Sequence, residues 1–183
     1  MAAVEQPASP LLGDRVALRP FRPSDAADVA RSCADPDIPR YTMMLAGLTE
    51  ADARVWIERR TALWANGLCS FALTVPPADR CLGQMGVHID HAHRRAETFY
   101  WLDPGARGQG LATEGLDVLT RWVFDNHDVV RVHLITHLDN DASQSVATRA
   151  GYQREGVLRA WEPVKDDQPD VVMWSRLASD PSH

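Results

Sequence analysis

Gly108 and Gly110 stand either side of Gln109, at the point where an alternating strand pattern gives way to an amphipathic helix. Ala96 to Leu102 reads as the strand, and Pro104 to Gly110 as a loop. Leu116, Leu119, Trp122 and Val123 then form one stripe of a helix running from Ala112 to about Asn126. Glycines let the backbone turn tightly and approach a ligand closely. A helix starting near Leu111 leaves its first N–H groups unpaired at the positive end of its dipole. The segment Arg107-Gly108-Gln109-Gly110-Leu111-Ala112 therefore suits a phosphate or pyrophosphate, with Arg107 able to add charge-assisted bonds. A glycine turn into an ordinary helix, with Arg107 in solvent, fits the same letters.

Other phosphate loops are excluded. A P-loop needs G-x-x-x-x-G-K-[ST], and the chain has no Gly-Lys pair. A dinucleotide fingerprint needs G-x-G-x-x-G at the start of a βαβ unit, but Thr113 holds the third glycine position and the loop lies mid-chain.

Around this loop the chain reads as one domain over residues 15–178, with loose ends at 1–14 and 179–183. Arg15 to Phe21 alternates as a strand. Ser24 is placed to cap a helix that stops near Asp35-Pro36. Residues 36 to 48 read as a loop or short broken helix. Thr49 caps a helix to about Asn66, and Gly67 stops it. Strands follow at Cys69 to Val75, Cys81 to Asp90 and Ala96 to Leu102, then the helix after the glycine loop, a strand at Val129 to His137 and a helix at Asp141 to Arg149. Strands at about Tyr152 to Trp161 and Val171 to Leu177 end the domain. The order β-α-α-β-β-β-α-β-α-β-β predicts an α/β chain with a mixed, twisted sheet of about seven strands and helices on both faces. It should pair in parallel around the glycine loop and antiparallel elsewhere.

Composition narrows the function classes. The formal net charge is -6 and no Lys/Arg block stands out, which argues against nucleic acid. No apolar run approaches the roughly 20 residues that span a bilayer. Cys33, Cys69 and Cys81 are odd in number with no C-x-x-C, which suits a reducing compartment. The start lacks a basic and then apolar leader, so a cytoplasmic protein is expected.

The run Arg107 to Ala112 resembles the Q/R-x-x-G-x-G/A signature of the GNAT superfamily of N-acetyltransferases. Tyr100-Trp101-Leu102-Asp103-Pro104, followed by Ala106 to Glu114, is similar to its RimJ/RimL-type branch. A second block agrees: Asn140-Asp141-Ala142-Ser143, then Arg149-Ala150-Gly151-Tyr152. The resemblance implies acetyl-CoA as co-substrate and central strands that splay to admit its pantetheine arm. It implies main-chain pairing of that arm around Trp101, Leu102 and Asp103. The pyrophosphate would lie on the N–H groups of Arg107, Gly108, Gln109, Gly110, Leu111 and Ala112. Asn140 would reach the pantetheine arm, Ser143 would lie near the thioester sulfur, and Arg149 would reach the nucleotide end or solvent.

The implied chemistry moves an acetyl or other short acyl group to a primary amine, on a protein N-terminus or a small molecule. A homodimer is an allowed assembly, and neither nucleic acid nor a membrane is expected as partner. A lysine-like amine has a pKa near 10.4, so a proton must be removed or relayed. Glu97 is the leading base, with His88 and Asp90 behind it. The family often places a tyrosine, as acid for the leaving thiolate, where this chain has Ala147. Ser143 is the expected replacement, with early-helix capping by Asn140 or Asp141 as the other reading of the same segment. The run His88-Ile89-Asp90-His91-Ala92-His93 divides between a strand and a turn, so no metal is expected. No cysteine has an adjacent base, which favours direct transfer. Acceptor choice is expected from Ile38 to Leu48, including Arg40, Tyr41, Met43 and Met44, and from Trp161 to Gln168. A non-catalytic acyl-CoA sensor is the alternative, and a nucleotide-binding protein a weaker one.

Overall fold

The structure is a computed structural model that describes residues 4–161, 163, 165 and 167–181. Its elements are β1 (Leu11–Leu12), β2 (Ala17–Pro20), α1 (Ala26–Ser32), α2 (Asp37–Tyr41), α3 (Glu50–Ala62), β3 (Leu68–Val75), β4 (Ala78–Asp90), β5 (Arg95–Leu102), α4 (Leu111–Asn126), β6 (Arg131–His137), α5 (Asp141–Arg149), β7 (Gln153–Leu158) and β8 (Val171–Leu177). The strands form one sheet in the order β1-β2-β3-β4-β5-β6-β8-β7. The pair β5–β6 is parallel, and every other neighbouring pair is antiparallel. No described helix is long and apolar enough to cross a membrane.

Local signals account for most element ends. Thr49 and Asp52 form a reciprocal capping box at the start of α3. After α3, a short 3-10 turn over Trp64–Asn66 ends at Gly67, whose φ of +82° suits glycine. Ser24 does not cap α1, because it lies within a 3-10 turn over Pro23–Asp25. The side chain that fixes this turn is Asp25, which accepts from the Arg22 N–H at 2.8 Å.

The arm expected over residues 1–14 is docked from Val4 onward. Val4 is buried in the core, and Leu11–Leu12 pair with β2 to make an eighth strand. Two leucines are too short a run to show strand periodicity, so the pairing depends on the edge that β2 offers.

Strand alternation builds a core on each face of the sheet. Phe71, Leu73, Met85 and Val87 pack with Leu116, Leu119 and Val123 of α4. Ala72 and Trp101 face the other way and pack with Val29, Ile38 and Ile57 of α1, α2 and α3. Arg19, 3% exposed, joins β2 to the α1 side. Its guanidinium donates to both oxygens of Asp25 at 2.8 Å, and its Nε donates to Asp79 at 2.6 Å. Removing one partner of such a pair leaves an uncompensated buried charge. Asp25→Ala should cost about 3 kcal/mol of stability, at the low end for a broken buried pair because Asp79 still faces Arg19. Arg54→Ala, which removes an exposed pair with Glu50, should change stability by under about 0.5 kcal/mol. Urea unfolding of the two variants checks the contrast.

Candidate functional site

The parallel pair β5–β6 stays in register only for Arg95↔Arg131, Ala96↔Val132 and Glu97↔His133. Beyond those residues the strands part, as the family resemblance implies, and a cavity of about 690 Å³ opens between them. Its wall includes Glu97, Trp101, Leu102, Arg107, Gly108, Gly110, Leu111, Ala112, Asn140, Ser143 and Arg149. Residues expected at the site from separate parts of the sequence therefore meet in one cleft. Asp103 and Gln109 are not on its wall.

Asp103 has a structural position instead. Its N–H donates to the Leu82 carbonyl at 2.8 Å, and its carboxylate accepts from Ser32 Oγ and the Gly105 N–H. In an antiparallel ladder the main chain turns to alternate edges, so Trp101, two residues earlier, also turns toward β4. The main-chain groups aimed at the cleft are then those of Tyr100 and Leu102, one position off the pairing expected at Trp101 and Asp103. The Trp101 indole is buried and donates to Gln84 Oε1 at 2.9 Å.

The glycine loop keeps its N–H groups open. Among the described residues, no main-chain N–H from Gly108 through Thr113 finds an acceptor, and the first helical bond is Glu114 N–H to the Gly110 carbonyl. Gly108 and Gly110 have φ of +73° and +79°, a conformation that L side chains adopt at a cost. The Arg107 guanidinium is not simply aimed at the loop. It pairs with Asp35 at 2.7 Å and Asp37 at 3.3 Å, tying the loop to the α1–α2 connection. The loop is held from below by Arg15, which donates to the Gln109 carbonyl at 2.9 Å and pairs with Glu114 at 3.0 Å. Burial disfavours the Glu114 charge, but bonds from the Arg15 and Val16 main chain and the Arg15 guanidinium hold its carboxyl below the ordinary range. In the sequence Arg15 reads only as the outward face of a strand.

Ser143 lies in the first turn of α5, where its N–H is capped by Asn140 Oδ1 at 3.0 Å. Its hydroxyl is 2.8 Å from the Tyr100 phenol. Burial raises the Tyr100 pKa, so the phenol stays protonated and is available as a donor. Tyr100 was legible only as part of a family run. Its partnership depends on the fold bringing the first turn of α5 to the phenol, which no local pattern records. Ala147, where the family tyrosine would stand, is fully buried.

Glu97 lies across from His88 on β4 and from His133 on β6. His88 lines the cavity. Burial, with the charges of Arg131 and Arg95, pushes His133 down to about 4, so it is neutral near pH 7. Asp90 is outside the cavity wall and pairs with His93 and Arg95. Tyr41, Met43 and Met44 line the cavity, whereas Arg40 turns away to pair with Asp139 at 2.6 Å. Residues 162, 164 and 166 of the expected acceptor segment lie outside the described residues. Among the described residues no group of three or more His, Cys, Asp or Glu converges to hold a metal.

Comparison with known proteins agrees with this geometry. Residues 15–153 match the acetyltransferase (GNAT) domain family. The chain is 28% identical to the uncharacterized N-acetyltransferase p20 of Bacillus licheniformis, over 91% of this chain and 95% of that protein. It is 27% identical to the ribosomal-protein-serine acetyltransferase of Escherichia coli, over 70% and 72% of the two chains. The fold superposes on RimL, a ribosomal L7/L12 alpha-N-protein acetyltransferase solved with coenzyme A, with a TM-score of 0.80 and 20% identity over 92% of this chain and 98% of that one. The chain belongs to the acetyltransferase (GNAT) family.

Proposed function

We propose that the protein transfers the acetyl group of acetyl-CoA directly to a primary amine within the β5–β6 cleft, with the α-amine of a polypeptide as the favoured acceptor. The observation that carries this reading is the continuity of the cleft. One cavity joins the open N–H groups of the glycine loop, the Ser143–Tyr100 pair and Glu97. The acceptor class is supported by the ribosomal-protein acetyltransferases among the similar proteins. It is also supported by chemistry, since an α-amine, with a pKa near 7.7–8.0, is partly neutral at physiological pH.

In this reading the pyrophosphate rests on the N–H groups from Gly108 to Thr113, and the pantetheine arm pairs with the free edge of β5 at Tyr100 and Leu102. The amine lone pair attacks the thioester carbonyl carbon, and the carbonyl oxygen takes the negative charge. An N–H on the free edge of β5 is placed to donate to that oxygen. The amine's proton passes to Glu97, directly or through water. Collapse breaks the carbon–sulfur bond. The departing thiolate takes a hydrogen bond, or a proton, from the Ser143 hydroxyl, which lies 2.8 Å from the Tyr100 phenol. A thiol pKa near 8.5 makes this help useful but modest. The cysteines offer no covalent route. Cys33, Cys69 and Cys81 are buried, and burial pushes their thiols up to about 11, 12 and 12.

Following free thiol while acetyl-CoA is mixed with a panel of peptides and small amines tests the reading. Thiol release is expected with N-terminal peptides, whereas tight CoA binding with no release from any amine would make the protein a sensor. Gly110→Val should weaken CoA binding roughly tenfold in calorimetry, because a β-branched residue at that φ costs about 1–2 kcal/mol and distorts the N–H array. Ser143→Ala should lower kcat several-fold while leaving the CoA Kd nearly unchanged. If Tyr100 acts through Ser143, Tyr100→Phe should slow turnover in the wild type and add little in the Ser143→Ala background. Additive losses in that cycle would separate the two side chains.

A further inference from the structure

The cleft has a second lobe, on the opposite face of β5 from Ser143. Tyr100 and Leu102 turn their side chains to the α4–α5 face, whereas Glu97, Phe99 and Trp101 alternate to the α1–α3 face. The lobe on that face is lined by Arg60, Leu68, His88, Glu97 and Phe99. Arg60 projects into it from the last turn of α3.

Arg60 is unusual among the arginines set into this protein. Arg19, Arg131 and Arg176 each meet a carboxylate. Arg60 is half-buried, yet no carboxylate of a described residue lies within ion-pairing distance of it, and none of its guanidinium N–H groups has an acceptor among the described residues. Aromatic rings hold it instead. Its guanidinium carbon lies 5.4 Å from the Trp56 ring centroid and 5.7 Å from that of Phe99. Phe99 is a fixed platform, because its ring lies against the Gly86 backbone. A Cβ at Gly86 would fall 2.2 Å from the ring. Ring contacts hold the cation in place but leave the in-plane N–H fork unused. Burial lowers the Arg60 pKa, showing that its charge is kept at a cost.

We propose that Arg60 reads a carboxylate on the acceptor, so that the preferred acceptor is an amine with a carboxylate a short distance from its nitrogen. This rests on the transferase reading above and specifies its substrate class. The guanidinium fork matches a carboxylate in two parallel bonds. Glu97 and His88 in the same lobe are placed for the amine and its proton, so the lobe presents opposite charges to the two ends of one acceptor. The CoA phosphates are not the anion, because their cradle at Gly108 to Thr113 opens the helix that packs on the other face of the sheet. The chemistry has two sources, a free amino carboxylate or a peptide whose early residues include Asp or Glu.

The test uses the whole chain with acetyl-CoA and follows thiol release. Matched acceptors differ only in charge: amino carboxylates against their amides, and short peptides with Asp or Glu at the second or third position against the same peptides with Asn or Gln. The wild type should favour the carboxylate member of the responsive series by roughly ten- to a hundredfold in kcat/KM, as a charged hydrogen bond predicts. The series that responds identifies the source. Arg60→Gln and Arg60→Met should lose that preference, their kcat/KM on acid and amide becoming equal, while the CoA Kd and the melting temperature stay those of the wild type. Arg60→Lys should keep part of it. Equal rates on acid and amide in the wild type, or a preference that survives in both Gln and Met variants, would overturn the proposal and leave the transferase reading standing. CoA binding without thiol release from any acceptor would overturn both.

Discussion

β5 and β6 share hydrogen-bonded register only from Arg95 and Arg131 to Glu97 and His133, and every main-chain group beyond that point needs another partner. A buried N–H or C=O left without one costs about 1–3 kcal/mol, so such a split can persist only where water or a ligand enters. β4 on one side and β8 on the other pair with the full lengths of the two strands and keep them extended after they part. The cleft is thus a built defect in an otherwise continuous sheet. A chain that supplies one amide edge and one run of open helix N–H groups can hold a long, polar, flexible co-substrate without a dedicated side chain for each contact. The family to which the chain belongs is defined by transfer chemistry of this kind.

The second requirement is rigidity around the defect, and it is met by contacts far apart in sequence. Glu114 in the first turn of α4 receives Arg15, 99 residues away, and Arg15 also supports the Gln109 carbonyl. Arg107 ties the same loop to Asp35 and Asp37. The loop is therefore clamped from both faces of the sheet, and its N–H groups are set in direction before anything binds. Preorganised dipoles of this sort spend little free energy on reorientation when negative charge arrives.

This division explains what could be read from the sequence. The strands, the helix after the glycine loop, the Thr49 cap and the Gly67 stop rest on periods and caps that span a few residues. The loop at Arg107 to Ala112 was legible for the same reason. Partner choice was not. Tyr100 and Ser143 are 43 residues apart, and their 2.8 Å contact exists only because the fold brings the first turn of α5 to the Tyr100 phenol. The sequence offers Arg107 a phosphate or solvent, because nothing local shows that Asp35 and Asp37 fold against it. Position in the family run points Asp103 at the co-substrate, although its N–H and carboxylate are already taken by Leu82, Ser32 and Gly105. The family pattern marks a neighbourhood, and hydrogen-bond accounting within it decides which groups remain open.

Charge then separates the two ends of the cleft. The chain carries a formal -6, so its overall field does not attract an anionic co-substrate. At physiological ionic strength that field fades over about 8 Å, and local groups decide. On the side where the proposed reading puts the co-substrate, these are the loop N–H groups and Arg149, which lines the cavity and forms no ion pair among the described residues. On the other face Arg60 sits in one lobe with Glu97 and His88. The sheet between them gives each end its own electrostatic environment. In the proposed reading an acidic protein therefore holds the phosphates of a co-substrate on one face of β5 and handles the acceptor amine and its proton on the other, without either charge dictating the placement of the other.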